Sequence, residues 1–226
     1  MKIAVINFSG NVGKTTVARH LLLPRLAGAE CIAIESLNAD EGQGQALRGR
    51  QFGELQEYLQ TIDHAVVDIG ASNVEELLAL MRRYRGSHED FGCFVVPTVP
   101  ALKQQQDTIA TLAELARLGV PPSRLRLVFN MAEDGVAVSE AFDAVLAFVE
   151  QNPVVPINTR CRLGVNEIFE RLKGTGADLG ALARDDTDYR ALIVRAPDTA
   201  AKLKWAQLLA NRRLARGVVP ELDACF

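Results

Sequence analysis

Short, almost unbroken apolar runs alternate along the chain with stretches of helical period. Lys2 to Asn7, Cys31 to Ile34, Ala65 to Val67, Cys93 to Val96 and Leu125 to Phe129 lack the in-out alternation of half-exposed strands, so they predict strands buried on both faces. Between them lie helical stretches: Thr15 to Leu23 as far as Pro24, Phe52 to Leu59, and Val74, Leu77, Leu78 and Met81 at helical spacing. Gln104 to Leu118 follows, stopped by Gly119 and Pro121-Pro122. After a helix over Phe142 to Val149, Pro153 to Ile157 is expected as a short last strand. Helices around Asn166 to Leu172 and Thr199 to Leu214 close the chain. Strands and helices in this order predict an α/β fold, a doubly wound, mostly parallel sheet flanked by helices on both faces. Such a sheet predicts a single nucleotide-binding domain over 1–226, with C-terminal helices 190–216 packed on it.

The polar residues that end each strand therefore become the candidate ligand site, because ligands of open α/β sheets sit beyond the carboxyl ends of their strands. The first such end carries Gly10-Asn11-Val12-Gly13-Lys14-Thr15-Thr16. Glycines at 10 and 13 let backbone N–H groups turn toward phosphate oxygens, and a helix starting near Lys14 points its positive end at the same place. Lys14 is placed to neutralise the outer phosphates and Thr15 to offer a hydroxyl to Mg²⁺. Asp68, ending a buried strand, needs a partner that Mg²⁺ or its bound water supplies. These residues predict a nucleoside triphosphate, ATP, as the ligand.

Composition changes little. The formal net charge of −3 argues against a chain built wholly for nucleic acid while leaving a local basic patch open. The glycine loop begins so early that no signal-peptide core fits before it, and no apolar run approaches a bilayer's thickness, so a cytoplasmic location is expected. Cys31, Cys93, Cys161 and Cys225 stand far apart without metal spacing and are expected as reduced thiols.

The loop departs from the standard GxxxxGK[ST] pattern, which would place glycine where Phe8 stands. Phe8-Ser9-Gly10-Asn11-Val12-Gly13-Lys14-Thr15-Thr16 instead resembles the deviant Walker A loop of the ParA/MinD family, written GKGGVGKTT. Ala65-Val66-Val67-Asp68 resembles that family's Walker B strand, Val95-Val96-Pro97-Thr98 its next strand end, and Leu127-Val128-Phe129-Asn130 the strand end whose asparagine meets the adenine. Within the family the likeness is greatest to StbB-type plasmid stability proteins. The resemblance implies a switch in plasmid partition or stability that forms homodimers when ATP-bound. It also implies binding to non-specific DNA and to a partition or DNA-binding partner protein.

Two departures bear on turnover. Ser9 stands where the family has its signature lysine, a charge comparable to an arginine finger and worth on the order of 10³ to 10⁵ in rate. Asn11 replaces a glycine but tolerates left-handed dihedrals. In the switch loop Glu35 and Leu37 take the places of an Asp-x-Asp, leaving Asn38, Asp40 or Glu41 as substitutes, with Asp40 the catalytic candidate beside Lys14 and Asp68. Slow or partner-dependent hydrolysis is therefore expected. Two other functions fit the sequence: a metabolic ligase like dethiobiotin synthetase, and a non-hydrolysing nucleotide-binding adaptor in conjugation.

For the partner surface, Arg190, Arg195, Lys202, Lys204, Arg212, Arg213 and Arg216 gather near the C-terminus, and Arg82, Arg83 and Arg85 form a smaller group. Either could neutralise phosphates without reading bases. Residues 218–226 are too short and acidic for an amphipathic membrane helix, so no membrane docking is expected.

Overall fold

A computed structural model describes residues 1–34 and 49–226. Six parallel strands form one sheet in the order β2-β3-β1-β4-β5-β6, from β1 (Lys2–Val5), β2 (Glu30–Ile34), β3 (Ala65–Ile69), β4 (Cys93–Thr98), β5 (Leu125–Ala132) and β6 (Arg162–Gly164). The expected doubly wound α/β architecture is present, and the sheet is parallel throughout.

Alternate residues of the four inner strands, β1, β3, β4 and β5, feed two cores. Ala4, Ile6, Val67, Ile69, Phe94, Val96, Leu127 and Phe129 face one helical layer. This layer is made by α2 (Gly49–Thr61), α3 (Val74–Arg83), α4 (Leu102–Leu118), α5 (Val138–Ala141) and α6 (Asp143–Gln151). Ile3, Val5, Val66, Val95 and Val128 face the other. There the P-loop helix begins as α1 (Lys14–Thr16), continues as a π-helical segment Val17–Leu22 and ends in a 3₁₀ turn Leu23–Arg25. Beside it lie α7 (Ile168–Arg171), α8 (Leu179–Arg184), α9 (Tyr189–Arg195) and α10 (Thr199–Cys225).

Three expectations are corrected. Residues 153–157 form no strand; the sixth strand is Arg162–Gly164. Prolines at 153 and 156 each remove an N–H donor, whereas Gly164 N–H finds its acceptor in the Glu221 carboxylate, 2.8 Å away. The terminal helix does not stop near Leu214 but runs through Pro220 to Cys225, because Ala215, Val218 and Leu222 share one buried face. Residues 218–225 are thus part of the core layer rather than a tail. Finally, Cys161 and Cys225 are not free thiols: they are joined in a disulfide across 64 residues. The fold returns the end of α10 to the start of β6, a proximity that cysteine spacing could not show. Cys31 and Cys93 are free.

Candidate phosphate-binding site

The loop between β1 and α1 is held by buried polar groups. Asn7 donates from Nδ2 to the Pro97 carbonyl and to Thr108 Oγ1, both at 2.8 Å, and accepts from Ser9 N–H at 2.8 Å. Phe8 N–H donates to Thr111 Oγ1 at 3.0 Å, and its half-buried ring packs on the α4-side core. Pro97 fits inside a central strand because β1 pairs with β4 only as far as Val95, leaving the Pro97 carbonyl to meet a side chain. Sequence reasoning missed α4's part in this. Its signal was there: Gln105, Thr108 and Thr111 recur at helical spacing on the same buried face as Leu112 and Leu115.

Two residues give the loop its turn. Gly13 has φ +84° and Asn11 φ +57°, the second a left-handed position that asparagine adopts more readily than most. A Cβ on Gly13 would collide with Asn130 Nδ2, whereas one on Gly10 would meet nothing within 4 Å. Asn130, fully buried, donates from Nδ2 to the Val12 carbonyl at 2.9 Å. The structure therefore places Asn130 behind the loop as a brace. Its neighbour Met131, 41% exposed with φ +53°, is the residue that lines the cleft.

Lys14 is 8% exposed, and Nζ donates to the Ser9 carbonyl at 2.6 Å and the Asn7 carbonyl at 3.2 Å. Burial pushes its pKa below the usual lysine value, and the negative charge of Asp68 partly offsets this. Thr15 Oγ1 donates to Asp68 Oδ2 at 2.6 Å, so the hydroxyl and carboxylate expected to share a metal ion are already together. These hard oxygen donors suit Mg²⁺, which keeps several waters and asks for only one or two protein ligands besides phosphate. Among the described residues, no group of three or more His, Cys, Asp or Glu gathers at metal-binding distance. Thr16 is half-buried beside them, and Ser9 is 6% exposed. Asp40, with Glu35, Leu37, Asn38 and Glu41, lies outside the described residues.

The loop opens into a cleft of about 1010 Å³. Asn11, Gly13, Lys14, Thr15 and Thr16 line it from the loop, Arg19 and His20 from the helix that follows, and Cys31, Phe169, Lys173 and Leu179 also line it. His20 sits against the Phe169 ring at 5.5 Å; burial and nearby Arg19 hold its pKa below the usual histidine value. The sequence did not mark the 169–179 wall, because nothing in Phe169 to Leu179 forms a motif.

The basic cluster divides. Arg212 donates to the Thr187 carbonyl at 2.6 Å and lies over the Tyr189 ring, while Arg216 donates to the Ala183 and Asp185 carbonyls, both at 2.9 Å. These two close the end of α8. Arg190, Arg195, Lys202, Lys204 and Arg213 remain exposed. In the smaller group, Arg82 is paired with Glu114, and Arg83 and Arg85 are exposed.

Sequence comparison finds no matching family model and no matching curated protein. Solved structures do match. Apo McdA from Cyanothece superposes with a TM-score of 0.54 at 14% identity, over 96% of this chain and 98% of that chain. The chain has the fold of McdA and MinD. An ATP complex of a Cyanothece McdA variant gives a TM-score of 0.51 at 14% identity, covering 96% of each chain. The MinC:MinD cell division complex of Aquifex aeolicus gives 0.54 at 12% identity, over 92% and 95%. Among the described residues no helix is long and apolar enough to cross a membrane.

Proposed function

We propose that this chain is an ATP-binding switch protein of the ParA/MinD kind. The observation that carries the reading is the loop's geometry: a left-handed Gly13, a Lys14 ammonium turned into the loop, and Thr15 against Asp68 at 2.6 Å. Backbone N–H groups from Gly10 to Thr16 would cradle the phosphates, and Lys14 would neutralise them with its remaining N–H. Mg²⁺, when bound, supplies charge neutralisation between the phosphates. Thr15 and Asp68 are the residues that would hold it, directly and through water. Met131 and the 169–179 wall would border the base, with Asn130 acting through the loop it braces. ATP binding by a McdA variant of this fold supports the choice of nucleotide.

The switch reading includes an ATP-dependent homodimer and a protein partner, supported by the resemblance of the loop to its family and by the MinC complex of MinD. We assign non-specific DNA binding to Arg190, Arg195, Lys202, Lys204 and Arg213, which are exposed. A StbB-like role in plasmid stability and a cytoplasmic location belong to the same proposal, as does a single domain spanning 1–226. The test is direct. A fluorescent ATP analogue should bind the wild type and not Lys14→Ala, and sedimentation should show a dimer with ATP and a monomer with ADP. No binding by the wild type, or normal function in Lys14→Ala, would remove nucleotide from the function.

One observation favours a second reading, the adaptor that holds ATP without hydrolysing it. Ser9 is buried and uncharged where the family's lysine would project toward a second subunit. Turnover of several ATP per second by the purified chain would eliminate both the adaptor and slow hydrolysis.

A further inference from the structure

The last turn of α10 grips both walls of the cleft. On one side, the Glu221 carboxylate accepts the Gly164 N–H at 2.8 Å, and Cys225 is joined to Cys161, the residue before β6. Beyond β6 the chain runs directly into the 169–179 wall. On the other side, Asp223 pairs with Arg25 at 2.5 Å. Arg25 in turn donates to the His20 and Leu21 carbonyls at 3.0 and 2.9 Å, within the helix that starts at Lys14. Val218 and Leu222 pack in one cluster with Val17, Leu21, Ile168 and Leu179, which joins the two walls through a shared core.

Of these ties only one can be chemically opened. The Arg25–Asp223 pair is partly exposed, and such pairs contribute little on their own. The disulfide is the covalent link, and its two ends differ: Cys161 is 7% exposed, while Cys225 is half-buried in the final turn. Disulfides are rare in reducing compartments, and those that form there are chiefly transient and redox-sensing. Of the free thiols, Cys31 is exposed and Cys93 half-buried, and burial raises the pKa of both and so lowers their thiolate fraction.

We propose that Cys161–Cys225 is a redox-sensitive clamp on the nucleotide cleft. When formed, it holds the wall after β6 against the P-loop helix; when reduced, it frees the end of α10 and speeds nucleotide exchange. The inference rests on the reading of the cleft as a nucleotide site. The reaction is thiol–disulfide exchange with a dithiol reductant. A reductant thiolate attacks the sulfur of Cys225, the less buried of the two residues, the S–S bond breaks, and Cys161 leaves as a thiolate that takes a proton. The second reductant thiol, deprotonated, then displaces Cys225. Two electrons pass to the protein, and the reductant ends as its own disulfide.

The test uses the full chain, oxidised with disulfide glutathione or reduced with dithiothreitol. Alkylation and mass spectrometry should count two reactive thiols in the first state and four in the second. Stopped-flow release of a fluorescent ATP analogue should be faster in the reduced protein by about threefold or more, the scale of a local opening. Cys225→Ser should release at the reduced rate in both conditions, while Cys31→Ser/Cys93→Ser should remain redox-responsive. Hydrogen exchange over residues 165–179 should rise on reduction. Four alkylated thiols after oxidation, or equal release rates and equal exchange in the two states, would overturn the clamp. If neither state binds the analogue, the nucleotide reading fails instead, and the exchange measurement alone then decides the clamp.

Discussion

Replacing Gly13 with alanine tests the loop at its tightest point. Two costs are separable in the structure. An alanine held near φ +84° is strained by about 1–2 kcal/mol. Its Cβ would also fall on Asn130 Nδ2, so the amide must leave the Val12 carbonyl. Both groups lose a buried hydrogen bond, which costs about 1–3 kcal/mol when no partner replaces it. Together these give a destabilisation of roughly 2–5 kcal/mol, read as a lower urea midpoint at unchanged slope. Gly10→Ala is the internal control: Gly10 has no positive φ and open space at its Cβ, so stability should hold while phosphate affinity falls. A Gly13→Ala/Asn130→Ala double variant should lose less than the sum of the single losses, since removing the amide removes the collision. If Gly13→Ala unfolds within about 0.5 kcal/mol of wild type, or if the losses simply add, the proposed coupling between loop and brace is wrong.

Three other outcomes are expected. Because burial lowers the Lys14 pKa, its amine loses its proton at a lower pH than an exposed lysine. ATP affinity should therefore fall as pH rises toward 10.5, and Lys14→Arg should flatten that part of the profile in a fluorescence titration. For the folded chain alone the sign is opposite: the unfolded state binds more protons in that window, so unfolding free energy should rise with pH there. Thr15→Val should abolish most of the Mg²⁺-dependent gain in ATP affinity with little change in metal-free binding, as measured by calorimetry with and without chelator. Reversing Arg190, Arg195, Lys202 and Lys204 to glutamate should weaken DNA retention and its salt dependence without moving the unfolding midpoint. Arg216→Ala should do the reverse, costing about 0.5–1.5 kcal/mol of stability as the carbonyls at the end of α8 each lose a donor.

Local pattern carried five of the six strands: β1, β3, β4 and β5 are buried runs, while β2, expected to be buried on both faces, is an edge strand in which only Ile34 is buried. It failed for β6, only three residues long and begun by an arginine, whose pairing with β5 is interrupted by a bulge and completed by a glutamate 57 residues onward. No local signal encodes such a partner. The end of α10 was lost for the opposite reason. Gly217 and Pro220 are strong local breakers, yet burial of Ala215, Val218 and Leu222 on one stripe outweighs them. In the site, loop and Walker B residues were legible because phosphate chemistry fixes their spacing. Asn130's tie to the loop was not, since a strand-end asparagine can point either into a ligand cleft or, as here, at the backbone behind it.

The proposed balance between holding ATP and hydrolysing it follows from how the loop spends its positive charge. A lysine ammonium has three N–H donors, and Lys14 gives two to the loop's own carbonyls at Asn7 and Ser9. That arrangement fixes the ammonium before any phosphate arrives and leaves one donor for a phosphate oxygen, which favours binding. It supplies no second charge to follow negative charge as it develops during phosphoryl transfer. The side chain at position 9, where the family carries such a charge, is a buried serine. Arg19 and Lys173 line the same cleft, but from the helix that follows the loop and from the 169–179 wall rather than from within the loop. Fast turnover by this chain would therefore require a cation from outside the loop, from one of those two sources or from a partner. If Ser9→Lys raises the hydrolysis rate of the dimer while leaving ATP affinity within about twofold, that charge is what the loop lacks; if it leaves the rate unchanged, the limitation lies elsewhere.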